Sequence, residues 1–280
     1  MKIFLRGMAT VRYGGLCLLL GLLLVSCATV PETGRRQLRL VNAQEEMQLG
    51  LTEFQKLKKS TPISKDAAIN ELVQRVGKRI ASVAALPDAQ WEFVVFDEPK
   101  TANAFCLPGG KVGVFTGILP ITKDEAGLAT VIGHEVSHAV AHHGAERISE
   151  GLLVQLGGQV LGEAMKNNSE SARNIALGAF GIGGTVGVML PHSRDQEMEA
   201  DDIGLIYMAR AGYDPRQAVE FWKRFAAYNA KSGGSQIQFL STHPVDQVRI
   251  QNLESRLPNA LAEYEKSKGH QPGASPSNGN

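Results

Sequence analysis

The sequence lacks an excess of charge of either sign, and it lacks an apolar run long enough to cross a membrane. Its 280 residues carry 29 basic and 28 acidic side chains, a formal net charge of +1. This balance gives no argument for nucleic acid as a partner. The two longest apolar runs, residues 14–25 and 175–190, fall short of the roughly 20 residues that a spanning helix needs.

The N-terminus predicts export. Three basic residues, an apolar run and small residues precede Cys27, as in a secretory signal. The ending "LVSC" resembles a bacterial lipobox, which would make Cys27 the lipidation site. In such lipoproteins an aspartate after the cysteine indicates retention in the inner membrane. Because Ala28 follows Cys27, the resemblance implies that the protein is anchored to the periplasmic face of the outer membrane. The alternative is an ordinary signal cleaved near Ala28.

Cysteine is scarce, with three residues in all. Cys17 would leave with the signal and Cys27 would be acylated, so a disulfide within the mature chain is excluded. Cys106 lies in an apolar run and is predicted to be a small buried hydrophobe. Loss of residues 1–26 removes three basic and no acidic side chains and changes the net charge from +1 to −2.

Periodicity predicts an α+β fold that is predominantly helical. We expect a signal over 1–26, a lipidated tether over 27–41, a peptidase domain over 42–268 and a disordered tail over 269–280. Strands are expected within 91–116, where a Pro-Gly-Gly turn separates two of them. The expected helices cover 43–59, 66–85, 123–148, 194–211, 215–230 and 245–266. The glycine-rich run near 177–190 is expected to be a buried helix.

The stretch "GHEVSHAVAHH" contains an H-E-x-x-H pattern. Residues four apart on a helix share a face, so His134 and His138 can both reach one zinc ion. Glu135 can then act as the general base for the attacking water. The flanking residues are small and apolar, which places this face inside the protein rather than on a solvated surface.

A third ligand must come from another element. On one straight helix, His142 lies about 6 Å beyond His138 along the axis, too far to share a tetrahedral ion, and His143 is expected to be a bystander as well. The best candidate is Glu197 in "SRDQEMEADDIGL". Asp201, four residues on, can accept the free ring N–H of a ligating histidine. Glu199 points roughly 160° away from Glu197.

Four segments together resemble the CAAX prenyl protease and HtpX zinc metallopeptidases, most closely their bacterial outer-membrane lipoprotein and periplasmic branch. These segments are "ANAFCLPGGKVGVFTGIL", "IGHEVSHAVAHHGAERIS", "SRDQEMEADDIGL" and "STHPVDQVRI". The resemblance implies a gluzincin-type domain with a small β-sheet beside the active-site helix, and one zinc per chain. It implies His134, His138 and Glu197 as ligands, Glu135 as the base and Asp201 as the acid behind a ligating histidine.

The same resemblance assigns three further roles. Asn103 and Ala104 would lie on an edge strand that pairs with an extended substrate. His243 would lie near the metal, where it either stabilises the oxyanion or occupies the open position and holds the enzyme shut. Arg249 is a second candidate for stabilising the developing charge.

We therefore expect a zinc endopeptidase that hydrolyses unfolded or misassembled cell-envelope proteins. Its expected partners are these substrates, the outer-membrane lipid surface and the outer-membrane assembly machinery. The alternative is a chaperone-like assembly factor for outer-membrane proteins whose metal site is latent.

Overall fold

The computed structural model describes residues 27–164, 166, 193–231, 239, 243, 244 and 246–268. Its strands are β1 Cys27–Thr29, β2 Arg36–Leu38, β3 Glu92–Phe96, β4 Ala104–Leu107 and β5 Lys111–Phe115. Its helices are α1 Ala43–Ser60, α2 Ala67–Ala81, α3 Leu119–Thr122, α4 Glu125–Val140, α5 His143–Ala164, α6 Arg194–Arg210, α7 Arg216–Lys231 and α8 Gln247–Lys268, with a 3-10 turn at Thr116–Ile118. The predicted α+β fold, mainly helical with small sheets, is confirmed.

Contacts divide the chain into two compact units. Within its described residues, one unit holds the antiparallel β1–β2 hairpin and residues 145–164 of α5. In that unit, Arg35 donates two hydrogen bonds to the carboxylate of Glu146, at 2.6 and 2.8 Å. The other unit holds the remaining described elements and every predicted site residue except Cys27.

The larger unit contains a three-stranded sheet in the order β3-β5-β4. Strand β5 runs parallel to β3 and antiparallel to β4. The turn between β4 and β5 places Gly109 and Gly110 at φ values of 81° and 79°, in the left-handed region that favours glycine. Because β5 lies in the middle of the sheet, β4 is an edge strand among the described residues, and it packs against α4.

Helix α4 is the centre of this unit. Helix α2 packs on it from the side of β3, while α6 and α7 pack on it elsewhere, and α8 covers α6 and α7. All residues of α4 from Gly127 to Val140 are buried. A helix that is enclosed along its length can hold polar side chains away from water, provided that they find partners.

One predicted helix is wrong in its extent. The helix expected over 123–148 ends at Val140, and a new helix begins at His143. At the break, His142 has a φ of 54°, which is the left-handed conformation that non-glycine residues rarely adopt. The two helices are therefore separate elements, and the side chain of His143 does not follow the helical positions of α4.

Three predictions fall on residues outside the described ranges: the signal over 1–26, the glycine-rich helix near 177–190 and the tail over 269–280. Within the described ranges, none of the helices is both long and apolar enough to span a bilayer. The predicted domain limits stay a prediction.

Candidate metal centre

Helix α4 holds three predicted site residues in its buried interior. The helix starts at its N-cap Asp124, whose carboxylate accepts a hydrogen bond from Gly127 N–H at 2.9 Å. His134, Glu135 and His138 are exposed by only 1%, 4% and 6%. His134 Nε2 and His138 Nε2 lie 3.1 Å apart, so the two rings aim at one point.

Helix α6 brings Glu197 to the same point. The helix opens with a capping box, in which Ser193 and Gln196 each bond the other's backbone N–H. Glu197 follows in the first turn and is completely buried. Its Oε2 lies 3.4 Å from His134 Nε2, and its Oε1 lies 3.3 Å from His138 Nε2.

His243 completes the cluster. Its Nδ1 lies 3.4 Å from His134 Nε2 and 2.8 Å from Glu197 Oε1. The ring is buried and lies against Phe239, with the two ring centres 4.4 Å apart. The structure thus brings together all three predicted ligands and the histidine that was expected near the metal.

The spacing of these atoms fits a tetrahedral zinc ion. One ligand atom from each of the four residues lies within 4.8 Å of all the others. Zinc bonds of about 2.0–2.1 Å in a tetrahedron place neighbouring ligand atoms about 3.3 Å apart. The separations between these residues, taken to either oxygen of Glu197, range from 2.8 to 3.4 Å and so lie near that value. Burial alone would raise the pKa of Glu197, but hydrogen bonds with the three imidazoles lower it, which keeps a ligand carboxylate ionised.

Asp201 and Arg249 lie behind the predicted ligands. Asp201 Oδ1 is 3.0 Å from His134 Nδ1, as expected for the acid that orients a ligating histidine. Arg249 donates to both oxygens of Asp201 at 2.8 Å, and its Nη1 lies 2.6 Å from Glu197 Oε2. Burial alone would raise the pKa of Asp201, but the charge of Arg249 lowers it. The structure therefore places Arg249 on two carboxylates of the site.

Glu135 lies beside the four-residue cluster but is not one of its candidate metal ligands. Its Oε1 is buried with no hydrogen-bond partner in the part of the chain that the structure describes. His243 Nε2 lies 3.5 Å from this oxygen. Burial raises the pKa of Glu135 above the ordinary carboxyl value. A desolvated carboxylate with an unused oxygen is suited to accepting a proton.

Asn103 and Ala104 lie where the edge strand begins. Phe115 N–H donates to the Asn103 carbonyl oxygen at 3.0 Å, and the Asn103 side-chain oxygen accepts from Ala104 N–H at 2.9 Å. Cys106 is on the same strand. Its side chain is only half-buried, because it lies on the edge strand, so the predicted full burial is wrong. Desolvation, and to a smaller extent the charge of Glu135, raises the pKa of its thiol, which disfavours the thiolate. The edge strand is therefore adjacent to the candidate base.

Two residues that contact this site, His143 and Glu199, are not among the predicted site residues. The sequence predicts a bystander at position 143 and a side chain that points away from Glu197 at position 199. His143 Nδ1 lies 2.8 Å from His138 Nδ1, and His143 Nε2 lies 2.9 Å from Glu199 Oε2. The only sequence signal for His143 is that two adjacent histidines, His142 and His143, follow the H-E-x-x-H pattern. The structure separates their roles, because His142 contacts Glu46 and not His138.

A family comparison identifies the enzyme class. Residues 67–257 match the model of peptidase family M48. The chain belongs to this family. The M48 metallopeptidases are zinc-dependent, in agreement with the four-residue cluster at His134, His138, Glu197 and His243.

Relatives give the same class. The chain is 42% identical over 195 residues to the mitochondrial metalloendopeptidase OMA1 of Schizosaccharomyces pombe, covering 70% of this chain and 55% of the relative. It is 39% identical over 186 residues to the Saccharomyces cerevisiae protein of the same name, covering 65% and 51%. It is 25% identical over 235 residues to the beta-barrel assembly-enhancing protease of Escherichia coli, covering 82% and 47%. The predicted metalloendopeptidase class is confirmed, although the chain spans only about half the length of these relatives.

The predicted location is wrong. The relatives that are 31–42% identical have names that place them in mitochondria, not at the periplasmic face of an outer membrane. The error has a physical cause, since a basic and acid-free start is common to secretory signals and to mitochondrial transit peptides. Lipidation of Cys27 and the branch within the family stay predictions.

Proposed function

We propose that the chain is a zinc endopeptidase that cleaves extended segments of unfolded or misassembled proteins. The observation that carries this proposal is the tetrahedral spacing of His134, His138 and Glu197 beside a buried carboxylate, Glu135, that has an unused oxygen. The name of the Escherichia coli relative, a beta-barrel assembly-enhancing protease, supports a membrane protein in assembly as one substrate class.

The edge of β4 that faces away from β5 is the proposed binding site for the substrate backbone. Because Asn103 accepts a bond from β5, the alternation of an antiparallel pair directs the N–H and C=O groups of Ala104 and Cys106 away from β5. The Asn103 side chain covers Ala104 N–H. An extended substrate would displace that side chain and bond to the strand, which requires an unfolded segment and no particular side chain.

The chemistry would depend on zinc and on Glu135. Zinc bound by His134, His138 and Glu197 would polarise the scissile carbonyl and lower the pKa of the attacking water toward about 7. Glu135 would accept the proton of that water at its unpartnered Oε1. It would then donate the proton to the leaving amine nitrogen. Asp201 would fix the ring of His134 through Nδ1, and Arg249 would hold Asp201 and Glu197 in place.

His243 had two predicted roles, and its position favours one of them. Its Nδ1 stands at the fourth corner of the ligand cluster, where the substrate carbonyl or water would enter. Hydrogen bonds hold His243 and Pro244 in place: His243 N–H donates to Phe239 O at 2.8 Å, and Arg249 donates to Pro244 O at 2.8 Å. We propose a closed resting state that opens when His243 withdraws.

The decisive test compares wild type with Glu135→Gln on an unfolded protein such as β-casein. We expect one zinc per chain in both proteins and cleavage by wild type alone, because the amide keeps the shape of Glu135 but cannot accept the proton. Cleavage by zinc-loaded Glu135→Gln at the wild-type rate would rule out Glu135 as the base. A Glu197→Gln variant should lose zinc, and full zinc affinity in that variant would reject the ligand set.

A chaperone-like assembly factor is the second candidate, and the same His243 position favours it. If this residue keeps the site closed permanently, the β4 edge would bind unfolded chains without cutting them. Wild type would then hold zinc, bind unfolded protein and suppress its aggregation with no cleavage. Glu135→Gln would suppress aggregation equally well.

A further inference from the structure

The two zinc-facing histidines of α4 are supported in different ways. A histidine that binds a metal through Nε2 carries a proton on Nδ1, and that N–H normally donates to a carboxylate or carbonyl. For His134 the carboxylate nearest Nδ1 is that of Asp201, whose Oδ1 lies 3.0 Å away. For His138 the neighbour of Nδ1 is another imidazole, the ring of His143 at 2.8 Å.

His143 in turn contacts a carboxylate on α6. Its Nε2 lies 2.9 Å from Glu199 Oε2, and the other oxygen of Glu199 accepts a hydrogen bond from the Thr33 hydroxyl. His143 is completely buried and Glu199 is 8% exposed. The four side chains form one continuous chain of contacts from His138 to Thr33.

Only one arrangement of protons satisfies this chain when His138 binds a metal through Nε2. His138 Nδ1 then bears the proton, so His143 Nδ1 must be the acceptor. A neutral imidazole with an unprotonated Nδ1 carries its proton on Nε2, and it donates that proton to the Glu199 carboxylate. Every donor has an acceptor, and the single negative charge is on Glu199.

The break between α4 and α5 makes the contact possible. On a continuous helix, a residue five positions after His138 lies about 140° around the axis from it. The left-handed φ of 54° at His142 ends α4 and redirects the chain, so that His143 faces back to the His138 ring. His142 itself turns to Glu46, with His142 Nδ1 2.8 Å from Glu46 Oε2.

We propose that His143 and Glu199 are positioning residues that fix the tautomer and the ring orientation of His138 for zinc binding. This rests on the proposed ligand set. Three of the five acids of α6 then have separate tasks: Glu197 binds zinc, Asp201 orients His134 directly, and Glu199 orients His138 through His143.

The test measures zinc affinity by competition with a chelator, and it records the visible spectrum of the cobalt-substituted protein. His143→Leu removes the acceptor of His138 Nδ1–H, and we expect it to weaken zinc binding about 10- to 100-fold and to change the cobalt spectrum. His143→Gln should restore most of the loss, since its amide oxygen can accept from His138 and its amide N–H can donate to Glu199. A contribution to packing alone predicts no such rescue.

Two matched controls lie next to the variants. His142→Asn tolerates the left-handed conformation and does not touch a ligand, and Asp195→Asn removes an exposed carboxylate from the same helix as Glu199. Both should keep wild-type zinc affinity and cobalt spectrum. Glu199→Gln should weaken zinc binding less than His143→Leu does, because an amide oxygen still accepts from His143.

The outcomes separate this proposal from the ligand set on which it rests. Wild-type affinity and an unchanged cobalt spectrum in both His143→Leu and Glu199→Gln would overturn the proposal. If the circular dichroism of metal-free His143→Leu shows an unfolded chain, the result for Glu199→Gln decides alone. Full zinc affinity in Glu197→Gln would overturn the ligand set, and this proposal with it.

Discussion

Gly133 and Gly204 bring helices α4 and α6 into direct backbone contact beside the zinc ligands. A methyl group at Gly204 would lie 3.0 Å from His134 N and 3.2 Å from Gly133 O. Both distances are shorter than an ordinary contact between a methyl carbon and a backbone atom. The absence of side chains here therefore decides how closely Glu197 approaches His134.

Gly204→Ala should push the two helices apart. We expect it to lower the free energy of unfolding by about 1–3 kcal/mol, the usual cost of forcing extra atoms into a packed interior. It should also weaken zinc binding, because His134 is on α4 and Glu197 is on α6, so the two side chains would move apart with their helices. Urea denaturation and chelator competition measure the two effects. Gly144→Ala is the control, since a methyl group there meets no atom within 4 Å.

Arg249 is expected to be essential for stability. It neutralises Asp201 and Glu197 while 2% exposed, and its guanidinium lies over the Trp222 ring at 4.5 Å. Arg249→Met should lower the free energy of unfolding of the metal-free protein by about 3–5 kcal/mol, because it leaves buried carboxylates without their cation. Arg249→Lys should not restore it, since one ammonium cannot replace two parallel N–H groups.

The control for this experiment is Arg256→Met. Arg256 is half exposed and lies 3.1 Å from Asp202, so its loss should cost at most about 1 kcal/mol. Equal losses in urea denaturation for Arg249→Met and Arg256→Met would contradict the role of Arg249 in holding the two carboxylates.

Zinc uptake should release protons. Burial alone would lower the pKa of His134, but hydrogen bonds with Asp201 and Glu197 raise it to about 9 in the metal-free protein. Zinc must displace this proton, so its apparent affinity should rise as the pH increases from 7 and level off near 9. Isothermal titration calorimetry in buffers of different ionisation enthalpy counts the protons. No release at pH 7, with affinity independent of pH, would contradict the raised pKa.

The same shift makes a prediction for the metal-free protein. A group whose folded pKa lies above its unfolded value stabilises the fold below the unfolded pKa and loses that effect as the pH rises through the folded pKa. Protonated His134 should therefore stabilise the metal-free protein at pH 6. The urea concentration at the midpoint of unfolding should decrease as the pH is raised from about 6.5 to about 9. Saturating zinc should abolish this fall between pH 7 and 9, because the ring of His134 is neutral while it binds the metal.

The parts of the site that depend on local spacing could be predicted from the sequence. His134 and His138 share a face because they are four residues apart, and Glu197 and Asp201 do so for the same reason. The turn at Gly109 and Gly110 follows from the glycine pair. None of these features depends on how distant segments pack.

The parts that depend on packing could not be predicted. The helix break rests on a left-handed conformation at His142, which is uncommon for any non-glycine residue, although histidine adopts it more often than most. A straight helix would carry His143 away from His138, so the spacing gives no sign of their contact. Glu199 does point away from Glu197, but the direction alone does not reveal that His143 is the residue it meets. The crossing at Gly133 and Gly204 likewise becomes visible only when both helices are in place.

His243→Ala tests the closed resting state. Because His243 Nδ1 stands 2.8 Å from Glu197 Oε1 and 3.4 Å from His134 Nε2, its removal should open the fourth corner of the ligand cluster. We expect cleavage of β-casein to rise several-fold, with zinc still bound through the other three residues. Loss of cleavage, with zinc retained, would instead indicate that His243 stabilises the developing negative charge. Phe239→Leu is the companion variant: it removes the ring packed against His243 while the imidazole remains. If the block depends on that packing, Phe239→Leu should activate the enzyme partially, whereas a role in charge stabilisation predicts that it lowers the rate.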